Sequence, residues 1–181
     1  AGAGGGGANG ASGSNVGSSV GELTSLEELS LERNVAANDA MLAAIALRCP
    51  ALRKLDLRSS GVMPAGLVLF VRSARCAPRL TSLLLGGTTD SLDDAGLAAV
   101  ATRLPVLHTL DLSLHRGVGP DGITALAKAG ALRRLRISRN DLVTADSLMQ
   151  LARSGRMRSI VAVNCDLKVE KQLRQMQQAL L

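Results

Sequence analysis

A phrase of three apolar residues at positions one, four and six, closed by a polar residue at position nine, occurs six times along this chain. Its copies are Leu26-Leu29-Leu31-Asn34, Leu52-Leu55-Leu57-Ser60, Leu80-Leu83-Leu85-Thr88, Leu107-Leu110-Leu112-His115, Leu132-Leu135-Ile137-Asn140 and the degraded Met157-Ile160-Ala162-Cys165. Their first residues are 26, 28, 27, 25 and 25 residues apart. A unit of that length cannot bury its own apolar edge, so its neighbours must stack on it to make one continuous core. The alternation at positions four and six suits a short strand with one buried face.

After each of the first five phrases comes a helical run: Leu42, Ile45 and Leu47, then Leu67, Phe70 and Val71, then Leu97 with Val100, Ile123 with Leu126, and Leu148 with Leu151. Most of these spacings are three and four, which places the side chains on one helix face. Asp39, Asp94, Asp121 and Thr144 are expected to cap four of these helices, and Pro64 suits the first turn of the remaining one. Two residues before the later phrases stand Pro50, Pro78, Pro105, Gly130 and Gly155. Each is a helix breaker that frees the chain to enter the next strand.

The core is aliphatic. Of 181 residues one is Phe (Phe70), and Trp and Tyr are absent. Pockets for small molecules and base-stacking surfaces normally use aromatics, which weakens the case for an enzyme or a specific RNA reader. Residues 1–127 hold 10 Lys/Arg against 11 Asp/Glu, and residues 128–181 hold 11 against 4, so the net charge of +6 belongs to the last third. That asymmetry points to an anionic partner. Cys49, Cys76 and Cys165 are an odd number at wide spacing, and reduced thiols in a cytoplasmic or other intracellular protein are expected. No run of about 18 apolar residues offers a membrane span.

Residues 1–20 are Gly, Ser, Ala and Asn with two valines and no charge, a composition expected to form a flexible tether. Gly2, Gly4 and Gly7 match G-x-G-x-x-G, but the strand and helix that a dinucleotide site needs on either side are missing from the pattern. Residues 21–166 form the expected repeat domain. Residues 167–181 read as a terminal helix with Val169, Leu173, Met176 and Leu180 on one stripe, either capping the array or opening a coiled coil. An initial Ala1 with no basic-then-apolar leader is expected of a fragment or a processed chain, part of something larger.

The stretches CPALRKLDLRSSGV (Cys49–Val62) and DAGLAAVATRLPVLHTLDLS (Asp94–Ser113) resemble leucine-rich repeats of the ribonuclease-inhibitor-like and cysteine-containing classes. The Cys-Pro ahead of L-x-x-L-D-L and the D-A-G-L helix start carry the likeness. It implies an α/β solenoid of about six repeats, curved, with parallel strands on the concave face and helices on the convex one. The cysteine-containing class is best known from substrate receptors of F-box ubiquitin ligases, though no F-box lies in this chain. Repeats that resemble the ribonuclease-inhibitor class also include GTPase activators, but no arginine here stands out as their finger. In such repeats the position-nine residue turns inward and bonds loop backbone, so His115 is expected to be a loop residue. His108 has no acid or nucleophile at a recognisable spacing.

Residues that alternate with the buried leucines would face the concave surface: Glu28, Ser30, Glu32; Lys54, Asp56, Arg58; Ser82, Leu84, Gly86; Thr109, Asp111, Ser113; Arg134, Arg136, Ser138; Ser159, Val161, Val163. No P-loop, G-x-S-x-G, H-E-x-x-H or paired-cysteine motif occurs, so no catalytic residue, cofactor or metal is expected. The chain reads as a non-catalytic scaffold for protein–protein interaction. Its partner-binding candidates are Lys54, Asp56, Arg58, Asp111, Arg134, Arg136 and Arg139. Arg134, Arg136 and Arg139 would meet an acidic part of a protein or peptide, and Asp56 and Asp111 a basic part. Nucleic acid is not the expected partner, because specific readout usually needs aromatic stacking; the alternative that the resemblance implies is the substrate-recognition part of an F-box-type ubiquitin ligase, followed by a GTPase-activating or anionic-ligand-binding repeat protein.

Overall fold

The computed structural model describes residues 21–88, 92–165 and Lys171; the expected tether and most of the expected terminal helix lie outside these residues. Strands and helices alternate: β1 (Glu28–Ser30), α1 (Asp39–Arg48), β2 (Lys54–Asp56), α2 (Pro64–Ser73), β3 (Ser82–Leu84), α3 (Asp94–Arg103), β4 (Thr109–Asp111), α4 (Pro120–Ala129), β5 (Arg134–Arg136), α5 (Ala145–Arg153) and β6 (Ser159–Val161). The strands form one parallel sheet in the order β1-β2-β3-β4-β5-β6, and position four of each phrase pairs with position four of the next, as in Leu83↔Leu110. This is the expected α/β repeat solenoid.

Each strand is three residues long, but the ladder runs further. The position-six N–H donates to the carbonyl of position five in the next repeat, as from Leu57 to Leu84 at 2.8 Å, and the position-eight N–H to that of position seven, as from Leu114 to Ser138 at 2.8 Å. Reaching that second bond turns the chain. Position eight is left-handed in all six repeats: Arg33, Ser59, Gly87, Leu114, Arg139 and Asn164 have φ between 54° and 73°. Only one of the six is glycine, so five side chains are held where L-residues cost about 1–2 kcal/mol each. The ladder bonds and the packed leucines beneath hold them there.

The leucines form the core as expected. Leu52, Leu55, Leu57, Leu80, Leu83, Leu85, Leu110 and Leu112 are no more than 1 % exposed, while Leu26, Leu29, Leu31, Met157, Ile160 and Ala162 in the end layers are only partly buried. One expected core residue is not there. Leu47 is 61 % exposed and Ala46 is buried, because Leu42, Ile45 and Ala46 share the three-and-four spacing and Leu47 falls off that face. Ala77–Arg79 form a short 3-10 turn around Pro78, and Gly130 and Gly155 turn with φ of 72° and 71°.

The helix caps differ from expectation in an instructive way. Thr144 caps α5 as expected, its side chain accepting from Ser147 N–H. Asp39 and Asp94 do not cap; each is the first residue of its helix, and the caps are Asn38 and Asp93 one residue earlier. Asp121 lies inside α4, whose cap position is Gly119. The displaced aspartates serve the next repeat. Asp39 Oδ1 accepts from Met63 N–H at 2.8 Å, and Asp94 Oδ1 from Gly119 N–H at 2.6 Å. Met63 and Gly119 start α2 and α4, the two helices with proline in the first turn and no side-chain cap of their own. Gly66 and Gly122 leave room for these carboxylates: a Cβ at Gly66 would lie 2.2 Å from Asp39 Cγ, and one at Gly122 2.6 Å from Asp94 Oδ1. Self-capped and neighbour-capped helices therefore alternate along the array.

At Asn140 and Cys165 position nine works as expected, each side chain reaching back one repeat. The Asn140 amide donates to His115 O at 2.6 Å, and the Cys165 thiol to Ile137 O at 3.2 Å. His115 spans a wider gap. Its Nδ1 accepts from Leu92 N–H at 2.9 Å while its Nε2 lies 2.9 Å from Leu85 O, a pairing that places the proton on Nε2. The imidazole is 2 % exposed and joins both ends of the loop after β3.

Candidate functional site

The strands turn positions three, five and seven toward the open face of the sheet, away from the helices. This face carries all the residues singled out for binding except Arg139, which stands beside it at position eight. The structure sorts them by what they already touch.

In the first two repeats the charges pair with one another. Glu27 meets Arg53 at 3.7 Å, Glu28 meets Lys54 at 2.6 Å and Glu32 meets Arg58 at 3.0 Å, each across the β1–β2 boundary at matching phrase positions. Arg58 also grips Asp56, with Nη2–Oδ2 at 2.7 Å and Nε–Oδ1 at 3.0 Å. Burial alone would raise the Asp56 pKa, but its bonds to the Arg58 side chain and backbone hold it below the ordinary value, and the same carboxylate stabilises the protonated guanidinium. Lys54, Asp56 and Arg58 are thus tied into a network within the face.

The aspartates at position five have a second task. The ladder leaves the position-seven N–H without a backbone partner. Asp56 Oδ1 accepts it from Arg58 at 3.1 Å, and Asp111 Oδ1 from Ser113 at 2.9 Å. Here the two carboxylates part company, for Asp111 forms no ion pair among the described residues. Arg136 is its register partner on β5, yet Asp111 leans the other way, over the glycine of the third repeat. A Cβ at Gly86 would lie 3.2–3.3 Å from the Asp111 carboxylate.

The missing side chain at Gly86 leaves a depression of about 240 Å³, lined by Arg58, Asp111, Ser113, Arg136, Ser138 and, at its margin, the position-eight residues Arg33, Ser59, Leu114 and Arg139. It brings together four of the seven candidates: Arg58, Asp111, Arg136 and Arg139. Lys54 and Asp56 line a separate hollow of about 340 Å³ with Glu28, Ser30, Ser82 and Leu84, and Arg134 lines neither. Arg33 and Ser59 were missed by sequence reading. The signal was the recurrence of position eight, one residue before the polar rung, where the left-handed turn directs side chains to the rim.

Not every arginine of the basic third is available. Arg133 Nη1 donates to the carbonyls of Gly130, Ala131 and Leu132, and Arg156 Nη1 to Gly130 O at 3.0 Å, where carbonyls end α4. Arg134, Arg136 and Arg139 are exposed and make no ion pair among the described residues. All three cysteines are buried and none is joined in a disulfide, and burial raises the thiol pKa of Cys49 and pushes that of Cys76 up to about 11. No group of His, Cys, Asp and Glu among the described residues is arranged to hold a metal ion, and no described helix is long and apolar enough to cross a membrane.

A Leucine Rich repeat family model matches residues 103–127, from the last residue of α3 through β4 into α4. No curated protein matches the chain. The matched segment is one strand–helix unit of an array whose six strands repeat the same phrase in register, and over that unit the chain is similar to leucine-rich repeats.

Proposed function

We propose that this chain is a non-catalytic protein-interaction module that docks a protein or peptide with an acidic segment on the open, concave face of its sheet, centred on the fourth and fifth repeats. One observation carries the reading: Arg134, Arg136 and Arg139 are exposed and without ion pairs among the described residues, whereas Arg53, Lys54 and Arg58 are each bound to an acid. An unpaired guanidinium presents its planar fork to a carboxylate. A paired one must first give up its partner. The narrower kinship to ribonuclease-inhibitor-like and cysteine-containing repeats is supported by a helix of 9–10 residues in each of the first five repeats and by Cys49-Pro50 ahead of β2. Three buried thiols outside any disulfide support an intracellular setting.

The test is a charge reversal in each region. Arg134→Glu with Arg136→Glu should weaken retention of acidic peptides at least about tenfold, with the folded circular dichroism spectrum unchanged. Arg53→Glu with Lys54→Glu should weaken it far less. Equal losses from the two pairs would show that general positive charge, and not the fifth repeat, does the binding.

A further inference from the structure

The depression over Gly86 narrows the chemistry of that partner. Asp111 lies at its edge, 5 % exposed, its carboxylate accepting from Ser113 N–H and having no cation within ion-pair distance among the described residues. The Asp111 charge is felt by the nearby Arg58 guanidinium, which spends its hydrogen bonds on Asp56 and Glu32. One strand further on, Arg136 projects from β5, with Arg139 at the rim. The face therefore holds an unpaired carboxylate beside unpaired guanidiniums.

A purely acidic segment laid across these repeats would set a carboxylate against Asp111 in a half-closed hollow, where like charges repel. An apolar segment would strip the remaining water from Asp111 and return nothing, and a neutral donor would leave its charge uncompensated. A basic side chain entering the hollow supplies both a donor and the opposite charge, and a volume of about 240 Å³ has room for one. The spacing is fixed by the sheet. Arg136 is in register with Asp111 and Leu84, and Gly86 lies two residues beyond Leu84, so the space over Gly86 stands about 8–12 Å from the Arg136 backbone, a gap shortened by the reach of the Arg136 side chain. An extended segment crossing the strands places side chains i and i+2 on one side at about 6.6–6.8 Å.

Resting on the concave-face reading, we infer that the site takes a dipolar segment, basic-x-acidic in either chain direction, with a lysine or arginine in the Gly86 hollow against Asp111 and an aspartate or glutamate on Arg136 and Arg139. Direct measurement uses the full chain and fluorescent peptides that differ only in this triplet: Lys-x-Glu, Glu-x-Lys, Glu-x-Glu and Lys-x-Lys. At least one mixed peptide should bind about tenfold or more tighter than both like-charged ones. Asp111→Asn keeps the acceptor for Ser113 N–H and removes the charge; it should lower mixed-peptide affinity to that of Glu-x-Glu. Gly86→Val fills the hollow without altering charge and should do the same.

If Glu-x-Glu binds as tightly as the mixed peptides and loses affinity in the Arg134→Glu, Arg136→Glu protein, the dipolar inference fails while the acidic-partner reading survives. If no peptide binds, or Lys-x-Lys binds best, both are overturned. An Asp111→Asn protein with undiminished preference for the mixed peptide also sinks the inference.

Discussion

Repeats one and two and repeats four and five are built on the same ladder and the same buried leucines, yet their open faces have opposite electrostatic states. In the first pair Glu27, Glu28 and Glu32 stand one strand from Arg53, Lys54 and Arg58 and neutralise them. In the second, Asp111 and Arg136 are neighbours in register but do not pair, because Asp111 occupies the space over Gly86. One missing side chain in the repeat between them is enough to keep a carboxylate and a guanidinium apart. Charge content alone does not mark a binding face; charges without a partner on the same face do.

If the two regions differ only on the surface, their cores must be equivalent. Leu57→Ala and Leu112→Ala, both 0 % exposed, should each cost about 2–5 kcal/mol in urea unfolding. Costs that differ by more than about 2 kcal/mol would break the comparison, because packing would then distinguish the regions as well. A smaller effect is expected at the joint between them. His115→Ala leaves Leu92 N–H and Leu85 O unpaired in a buried place and should cost about 2–3 kcal/mol, with faster hydrogen exchange at the Leu92 amide. Unchanged exchange there would remove His115 as the support of the third repeat's loop.

Surface charges should show the contrast at a finer scale. Arg58→Ala breaks contacts with Asp56 and Glu32 and should lose up to about 1 kcal/mol, whereas Arg136→Ala should change stability by no more than about 0.5 kcal/mol. Thermal melts at low salt measure both; an Arg136→Ala loss as large as that of Arg58→Ala would mean that Arg136 is already engaged. The smallest effect concerns acid. Asp56 titrates below its ordinary 3.8 in the folded protein, so its stabilising contribution is complete above that value and disappears as pH falls through the depressed one. Asp56→Asn should lose this limb of the pH–stability curve, and an unaltered limb would assign it to other carboxylates.

Much of the fold was legible because the leucine phrase reports burial at fixed spacing, and burial decides both strand face and helix face. The caps were misread by one residue because Asn38-Asp39 and Asp93-Asp94 offer adjacent candidates, and sequence spacing does not say which of the two turns toward the neighbouring helix. The left-handed position eight carries no residue preference here: arginine, serine, leucine, asparagine and glycine all occupy it. The candidate site was half legible. Alternation placed six of the seven binding candidates on one face, but their availability depends on cross-strand pairs. A signal for these existed, since Glu27, Glu28 and Glu32 occupy the same phrase positions as Arg53, Lys54 and Arg58 with opposite sign. The hollow depends on what Gly86 lacks and on which way Asp111 leans. The phrase does not encode that direction.

The alternation of self-capped and neighbour-capped helices bears on how such an array can change length. An Asp39 or Asp94 carboxylate fits only against a following helix with glycine at its third position and a backbone N–H at its cap that needs an acceptor. Excising the fourth repeat alone would bring Ser147, with its side chain, to the place that Gly122 keeps clear for Asp94, beside a helix already capped by Thr144. Excising two adjacent repeats would restore the match. Duplication and deletion in this architecture should therefore be tolerated in even steps, so the module that can be copied is the pair of repeats and not the single one.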